Sequence, residues 1–289
     1  MVNLIQEYRP NGIAVTDLSS QLWCEKQLEF ALEKGRKETA EMKAGKERHR
    51  ELHEEIAILV KVEPKTLVDS VALRLHNAQV GLNRLLLTGM TREIPLFGKI
   101  NSLFIMGVTD EIILKNNSLH ILDTKTRKSN SMPSEAQKRT TRFQLMLYNK
   151  IIQDLVGAKF TTENILNFYD FKASDKISDN FKKQINNIGD QIEPNIKKLS
   201  DKTFRLFQKL PVPEKIMKIR YEFQERRKLI GSDEFSFDND IFQRNFNFVE
   251  EFWLGKRKAI PVGINNAWKC KYCEFYDICE EKPVPTKYL

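Results

Sequence analysis

The chain is sparing with cysteine, proline and glycine: four, ten and twelve of them in 289 residues. Four cysteines over this length do not make a secreted, disulfide-stapled scaffold. So little glycine and proline excludes collagen-like and low-complexity chains. No apolar run nears the ~18–20 residues of a spanning helix; Leu85-Leu86-Leu87 and Ile56 to Val60 are the longest. The opening Met-Val-Asn-Leu-Ile-Gln-Glu-Tyr-Arg-Pro lacks a basic stretch ahead of an apolar core. Glu7, Asp17 and a single arginine before residue 20 also disfavour an Arg-rich transit peptide. These absences predict a soluble, intracellular protein with no membrane segment.

What is present is ordinary globular composition, 41% hydrophobic and 30% charged, with Lys+Arg 47 against Asp+Glu 39, or 47 − 39 = +8. The length suits one large domain with an ample core. The basic excess points weakly to polyanions. In a reducing compartment, clustered cysteines are metal ligands or catalytic groups rather than disulfides.

Patterning predicts helices over 16–34, 38–60 (highly charged, interrupted by Gly45) and 67–88. Strand-like runs follow between Ile94 and Lys125, with Asn116-Asn117 as a hairpin turn because Asn tolerates positive φ. A helix is expected over about 134–155, a strand near 165–171, and mainly helical structure over 173–258. Within that last stretch lie a β-like run at 216–223 and an amphipathic helix at 238–254. Residues 268–280 read as a loop of cysteines and aromatics.

The most informative segment runs from Gly107 to Arg127. Side chains alternate along a strand, so Asp123 and Lys125 share a face. If Asn116-Asn117 is a two-residue loop, Lys115 pairs with Ser118, and counting back sets Asp110 opposite Asp123. Like charges facing across a ladder are destabilising. A divalent cation between them removes that penalty, and Mg²⁺ is commonly held by one or two carboxylates plus substrate phosphate. Lys125 could orient or deprotonate a water, or stabilise charge on phosphorus. On the helix that follows, Gln137, Thr141, Gln144, Tyr148, Ile151 and Leu155 form one stripe. Lys125, Arg127, Lys128, Lys138, Arg139 and Arg142 stand against Glu135 alone, a patch suited to phosphates or simply a solvated basic face. His49 and His53 sit one turn apart on a charged helix, where exposed histidines are the default.

Cys270-x2-Cys273-x5-Cys279 leaves Cys24 as the only available fourth thiol. Four thiolates can hold zinc or a [4Fe–4S] cluster, and the spacing excludes neither. Either would close nearly the whole chain into one loop, a structural clasp.

Together these motifs carry a family resemblance. The order Val15-Thr-Asp-Leu-Ser-Ser-Gln-Leu-Trp-Cys24, Gly45-x3-His49, Gly107-Val-Thr-Asp110-Glu, Leu122-Asp123-Thr-Lys125-Thr-Arg127, Glu135-Ala-Gln137, Gln144-x3-Tyr148 and Trp268-Lys-Cys270-x2-Cys273-x5-Cys279-Glu280 resembles exonuclease V. That family is the iron–sulfur, RecB-like branch of the PD-(D/E)xK nucleases, and the resemblance spans about residues 13–281. It implies an α/β fold with a restriction-endonuclease-like core, a mixed central sheet flanked by helices, and helical elaborations. A single nuclease domain would occupy 1–289, with a catalytic core at 90–172, an elaboration at 173–258 and a C-terminal iron–sulfur segment at 259–289 pairing with Cys24.

By matched position the resemblance makes His49, Asp110, Asp123 and the Thr124 carbonyl metal ligands for Mg²⁺ or Mn²⁺, and Lys125 the catalytic lysine. Gln144 and Tyr148 would lie beside the active site. Cys24, Cys270, Cys273 and Cys279 would hold a [4Fe–4S] cluster. From the basic patch and its helix, Arg127, Lys128, Gln137, Arg139 and Arg142 are expected to contact DNA. Asp123 stands where close relatives often carry Glu. The implied activity is hydrolysis of single-stranded DNA from its ends, in repair or replication, by a monomer working with a single-strand-binding protein, in the nucleus if the source is eukaryotic. The competing readings are a non-catalytic iron–sulfur single-strand-binding protein and a CRISPR-adaptation nuclease of the same superfamily.

Overall fold

Three long consecutive antiparallel strands run inward from one edge of a mixed six-stranded sheet in the computed structural model, which describes residues 3–283. Residues 1–2 and 284–289 of the expected 1–289 unit lie outside the described residues. Ahead of these strands come α1 (Leu4–Tyr8), a two-residue strand β1 (Ile13–Ala14), α2 (Val15–Gln21), α3 (Glu25–Lys34), α4 (Ala40–Glu54) and α5 (Leu67–Thr88). The strands are β2 (Met90–Ile100), β3 (Leu103–Lys115) and β4 (Ser118–Arg127). Next are α6 (Glu135–Val156), α7 (Thr162–Tyr169), α8 (Asp179–Asn187) and α9 (Ile196–Phe207). A hairpin of β5 (Ile216–Phe223) and β6 (Lys228–Ser236), then α10 (Asn239–Trp253) and a 3-10 helix over Ile264–Tyr272, complete the chain.

The β3–β4 hairpin has the expected register. Lys115 pairs with Ser118, and Asn116 and Asn117 take φ of 51° and 59°, the left-handed pair a tight hairpin turn requires. β5 runs parallel to β4, with Asp123 opposite Ile219 and Lys125 opposite Tyr221. The segment expected as a mainly helical elaboration therefore contributes two strands to the central sheet. Helix α5 packs along β2, and α6 lies across β2, β4 and β5. The core is rich in phenylalanine: Phe143, Phe160, Phe181, Phe207, Phe242, Phe246 and Phe252 are almost fully buried.

Three further local expectations are corrected. The stretch 16–34 is two helices, because the chain turns at Leu22 and Trp23 before Cys24 caps α3 in extended conformation. The charged helix ends at Glu54 rather than residue 60. The strand expected near 165–171 is helix α7: Thr161 and Asn164 form a capping box, and Ile165 and Leu166 supply one buried face.

Candidate active site and cysteine cluster

β3 has β2 along one whole edge. Its other edge is shared: β1 pairs at Ile105 and Met106, and β4 pairs only from Glu111 onward. Between them, at residues 107–110, β3 and β4 part. Asp110 sits at that fork. In place of a ladder bond, the Thr124 backbone N–H donates to Asp110 Oδ2 at 3.1 Å. Asp123 lies at the same level of β4, since the ladder's last pair is Glu111 with Leu122.

A third carboxylate joins from the other side. β2 pairs Arg92 with Glu111 and Ile94 with Thr109, so Glu93 falls level with Asp110. Glu93 has φ 55°, a left-handed conformation uncommon for a non-glycine residue and enriched at functional sites. His49 approaches from α4, its Nδ1 3.2 Å from Glu93 Oε1 and 3.5 Å from Asp110 Oδ2. His49, Glu93 and Asp110 each offer a donor atom within 4.8 Å of the others, a spacing one divalent cation can span. Sequence reasoning missed Glu93.

The helix bearing His49 buries no residue of its own. Polar contacts fix it instead. Arg48 binds Glu222 at 2.8 Å, Arg92 binds Glu55 at 2.7 Å and the Leu52 carbonyl, and Gln224 Nε2 donates to the Glu41 carbonyl at 3.0 Å. At Gly45, one turn before His49, a Cβ would lie 3.3 Å from Thr126 Oγ1. The absent side chain lets α4 come close to β4.

Lys125 Nζ donates to Asp123 Oδ1 at 2.8 Å, while Asp123 Oδ2 is buried with no protein partner. A buried carboxyl oxygen without a partner is destabilising for the protein alone and fits a cation-binding role. Burial, then repulsion from Asp123, push Asp110 up to about 8. Burial pulls His49 down, but its bond to Glu93 and the charge of Asp110 outweigh it and carry it to about 9. Lys125 is held above its ordinary value, because the two aspartates outweigh its burial. Tyr148 and Gln144 are buried behind this group, and burial raises the Tyr148 hydroxyl well above its usual range. A Cβ on Gly107 would meet Tyr148 Cε1 at 2.5 Å, so that glycine makes room for the ring.

The residues expected on DNA are scattered in role. Gln137 accepts from the Ser134 N–H at 3.2 Å and caps its own helix. Arg142 makes two 2.7 Å bonds to Asp233, so its charge is balanced inside the protein. Arg127 donates to the Ser131 carbonyl at 2.9 Å, Lys128 pairs with Glu41 at 3.1 Å across an exposed surface, and Arg139 reaches Asn245 Oδ1 at 3.2 Å. Glu135 is not the sole acid of this region, since Asp233 and Glu41 reach it too.

The four thiols are free and line one cavity with Trp23, Lys26, Phe30, Lys269, Tyr276 and Lys282. Cys24 is the N-cap of α3, Cys270 lies in the 3-10 helix, and Cys273 caps its end. Ring pairs Trp23–Trp268 and Phe30–Phe275, each 5.5 Å between centroids, and the ion pair Arg36–Glu274 at 3.1 Å join the same two parts of the chain. Burial and the neighbouring sulfurs raise Cys270 and Cys273, so a cationic group is what would hold these two as thiolates. Among the described residues, no three sulfurs lie within 4.8 Å of one another. A single tetrahedral zinc, at ~2.3 Å from each sulfur, needs sulfurs about 3.8 Å apart.

A family model described as exonuclease V, a 5′ deoxyribonuclease, matches residues 4–120, 114–206 and 199–281. The exonuclease V of Danio rerio is 29% identical over 283 residues, covering 96% of this chain and 72% of that protein. The mitochondrial exonuclease V of Kluyveromyces lactis is 33% identical over 51 residues, 17% of this chain and 9% of that protein. The crystal structure of SSO0001 superposes with a TM-score of 0.43 at 16% identity, covering 95% of this chain and 88% of that one. Sheet, carboxylates and family match together define a nuclease. The chain belongs to the exonuclease V family.

Proposed function

We propose that the protein is a divalent-cation-dependent exonuclease that degrades single-stranded DNA from its 5′ end. The observation that carries this reading is the row of Glu93, Asp110 and Asp123 across three strands, with His49 above it and Lys125 beside it. His49, Glu93, Asp110 and Asp123, with the Thr124 carbonyl nearby, would hold Mg²⁺ or Mn²⁺. When bound, the cation supplies Lewis acidity toward the phosphodiester and makes water a nucleophile near neutral pH. Asp110 is oriented by the Thr124 N–H, and Asp123 holds the Lys125 ammonium in place. That ammonium is placed to stabilise negative charge building on the phosphoryl oxygens as water adds to phosphorus and the bridging oxygen leaves. Its close carboxylate partner favours this electrostatic role over proton abstraction.

Gln144 and Tyr148 back the site and exclude water from behind it. Arg127, Lys128 and Arg139 would add a sequence-independent attraction for phosphates. The cysteine cavity is read as a [4Fe–4S] clasp joining residue 24 to residues 270–279. The phenylalanines that could have stacked bases are mostly in the core, so stacking falls to other residues. We infer a monomer that acts inside the cell, in repair or replication, on strands that a single-strand-binding protein also coats. No helix among the described residues is long and apolar enough to cross a membrane.

Oligonucleotides blocked at either end test the polarity. Cleavage should persist with a 3′ block and fail with a 5′ block. Equal degradation of both, or cleavage of a circular single strand, would refute end-directed 5′ attack.

A further inference from the structure

The 3-10 helix at the cysteine cavity reverses the usual order of burial. Lys269 is only 7% exposed, while Trp268 beside it is 38% and Tyr272 78% exposed. A lysine is among the residues least often buried unless it is paired. Lys269 Nζ donates to the Trp23 carbonyl at 3.2 Å and lies 4.5 Å from the Trp23 ring centroid. Among the described residues it has no carboxylate partner. Of the other lysines lining the cavity, Lys26 is matched by Glu29 at 2.5 Å and Glu281 at 2.7 Å, and Lys282, which donates to the Tyr276 carbonyl at 2.8 Å, is only half-buried. An ammonium buried without a counter-charge is destabilising, unless something in the cavity is negative. The four thiols are what the cavity offers.

We propose that Lys269 is the buried counter-cation of the metal–thiolate group held by Cys24, Cys270, Cys273 and Cys279. The inference rests on the clasp reading above. A [4Fe–4S] core carrying two positive charges among four thiolates leaves a net charge of about −2, and reduction by one electron makes it about −3. A fixed ammonium at the cavity wall stabilises both forms and the more negative one most, by Coulomb's law. Lys269 thus acts on the group through charge, holding it in the fold and raising its reduction potential. Trp23, directly before Cys24 in sequence, gives the ammonium its carbonyl and ring face. The lysine of the C-terminal motif and the tryptophan of the N-terminal one thereby join in the contact that the cysteines make.

Anaerobically purified wild type, Lys269→Met and Lys269→Arg test this, through iron content, a reductive titration followed near about 400 nm, and the rate of metal loss to a chelator. The expected result is wild-type iron content and midpoint in Lys269→Arg. In Lys269→Met the midpoint should be more negative and metal loss several-fold faster. Lys269→Gln gives the same comparison where the methionine variant does not fold. A loaded Lys269→Met protein with an unshifted midpoint and unchanged metal loss overturns the inference and leaves the cluster reading intact. Equal defects in the Arg and Met variants also overturn it, since packing on Trp23 rather than charge would then be what matters. Zinc in place of iron overturns the cluster reading alone, and chelator release then decides the role of Lys269. Wild type holding neither metal overturns both.

Discussion

Asp110 accepts a hydrogen bond from the backbone N–H of Thr124, 3.1 Å away, across the gap where β3 and β4 separate. A side chain has taken the place of a ladder carbonyl. The bond fixes one carboxylate beside a second, Asp123, whose outer oxygen is buried with no partner. Two acids in this position are a liability for the protein alone.

Replacing Asp110 by Asn removes the repulsion but keeps the shape. In EDTA the variant should be more stable than wild type, by about 1 kcal/mol, or roughly 2–4 °C in Tm. The same variant should lose at least about 100-fold in DNA cleavage. Thermal melts and an end-labelled cleavage assay read the two effects, which point in opposite directions. A catalytically dead variant that was also less stable would contradict the picture of mutual repulsion.

The pH dependence of the metal-free protein has a definite sign. Asp110 is raised from 3.8 to about 8 and His49 from 6.5 to about 9. In both cases the folded state binds a proton that the unfolded chain releases at lower pH, so their contribution is complete below the unfolded values and is lost as pH rises through the folded ones. Tm in EDTA should therefore fall as pH rises from about 4 to about 9. Saturating Mn²⁺ should flatten or reverse that slope, because the cation takes the place of the protons. Parallel slopes with and without Mn²⁺ would show that the cation does not bind these groups.

Glu93→Gln should weaken Mn²⁺ binding by roughly tenfold or more while leaving the fold intact, on the scale of a lost or disoriented ligand. Isothermal titration at fixed pH measures it. Affinity equal to wild type would remove Glu93 from the ligand set.

Gly107→Ala should destabilise by about 1–3 kcal/mol, the usual range for overpacking. The added Cβ would lie 2.5 Å from Tyr148 Cε1 and 2.9 Å from Val15 Cγ2, with both neighbours in the core. Urea unfolding reads this directly. A neutral result would mean that α6 can shift away from β3 without loss.

Cys273→Ala should lower Tm by roughly 5 °C or more, comparable to losing a cross-link that closes a long loop. Cleavage by the fraction that remains folded should change less. The carboxylates lie on β2, β3 and β4, whereas Cys273 lines the cavity where residue 24 meets residue 270. Calorimetry paired with an active-fraction assay separates stability from chemistry.

The β3–β4 hairpin was legible because Asn116-Asn117 is a strong local turn signal and a period of two then fixes which side chains face each other. Glu93 was open to the same arithmetic from the other hairpin: Ile100 pairs with Leu103 around Asn101, whose φ is 49°. Counting back from that turn reaches Glu93 opposite Asp110, but Asn101-Ser102 is a weaker turn signal than two asparagines. Helix α7 was misread because Ile165 to Phe171 is a short apolar run in which neither period is established, while Thr161 and Asn164 carried the decisive cap. β6 was missed for the opposite reason: Gly231, Ser232, Asp233 and Glu234 are poor strand formers, kept extended by pairing with β5. Asp233 then engages Arg142, a contact between residues 91 positions apart that composition cannot reveal.

The most direct test of the whole account is cleavage of an end-labelled single-stranded oligonucleotide by wild type, Asp110→Asn and Asp123→Asn, each with Mg²⁺, Mn²⁺ or EDTA. Wild type should cut with either ion and not in EDTA, and both variants should be inactive in every condition. Wild-type cleavage in EDTA, or full activity in either folded variant, would contradict it.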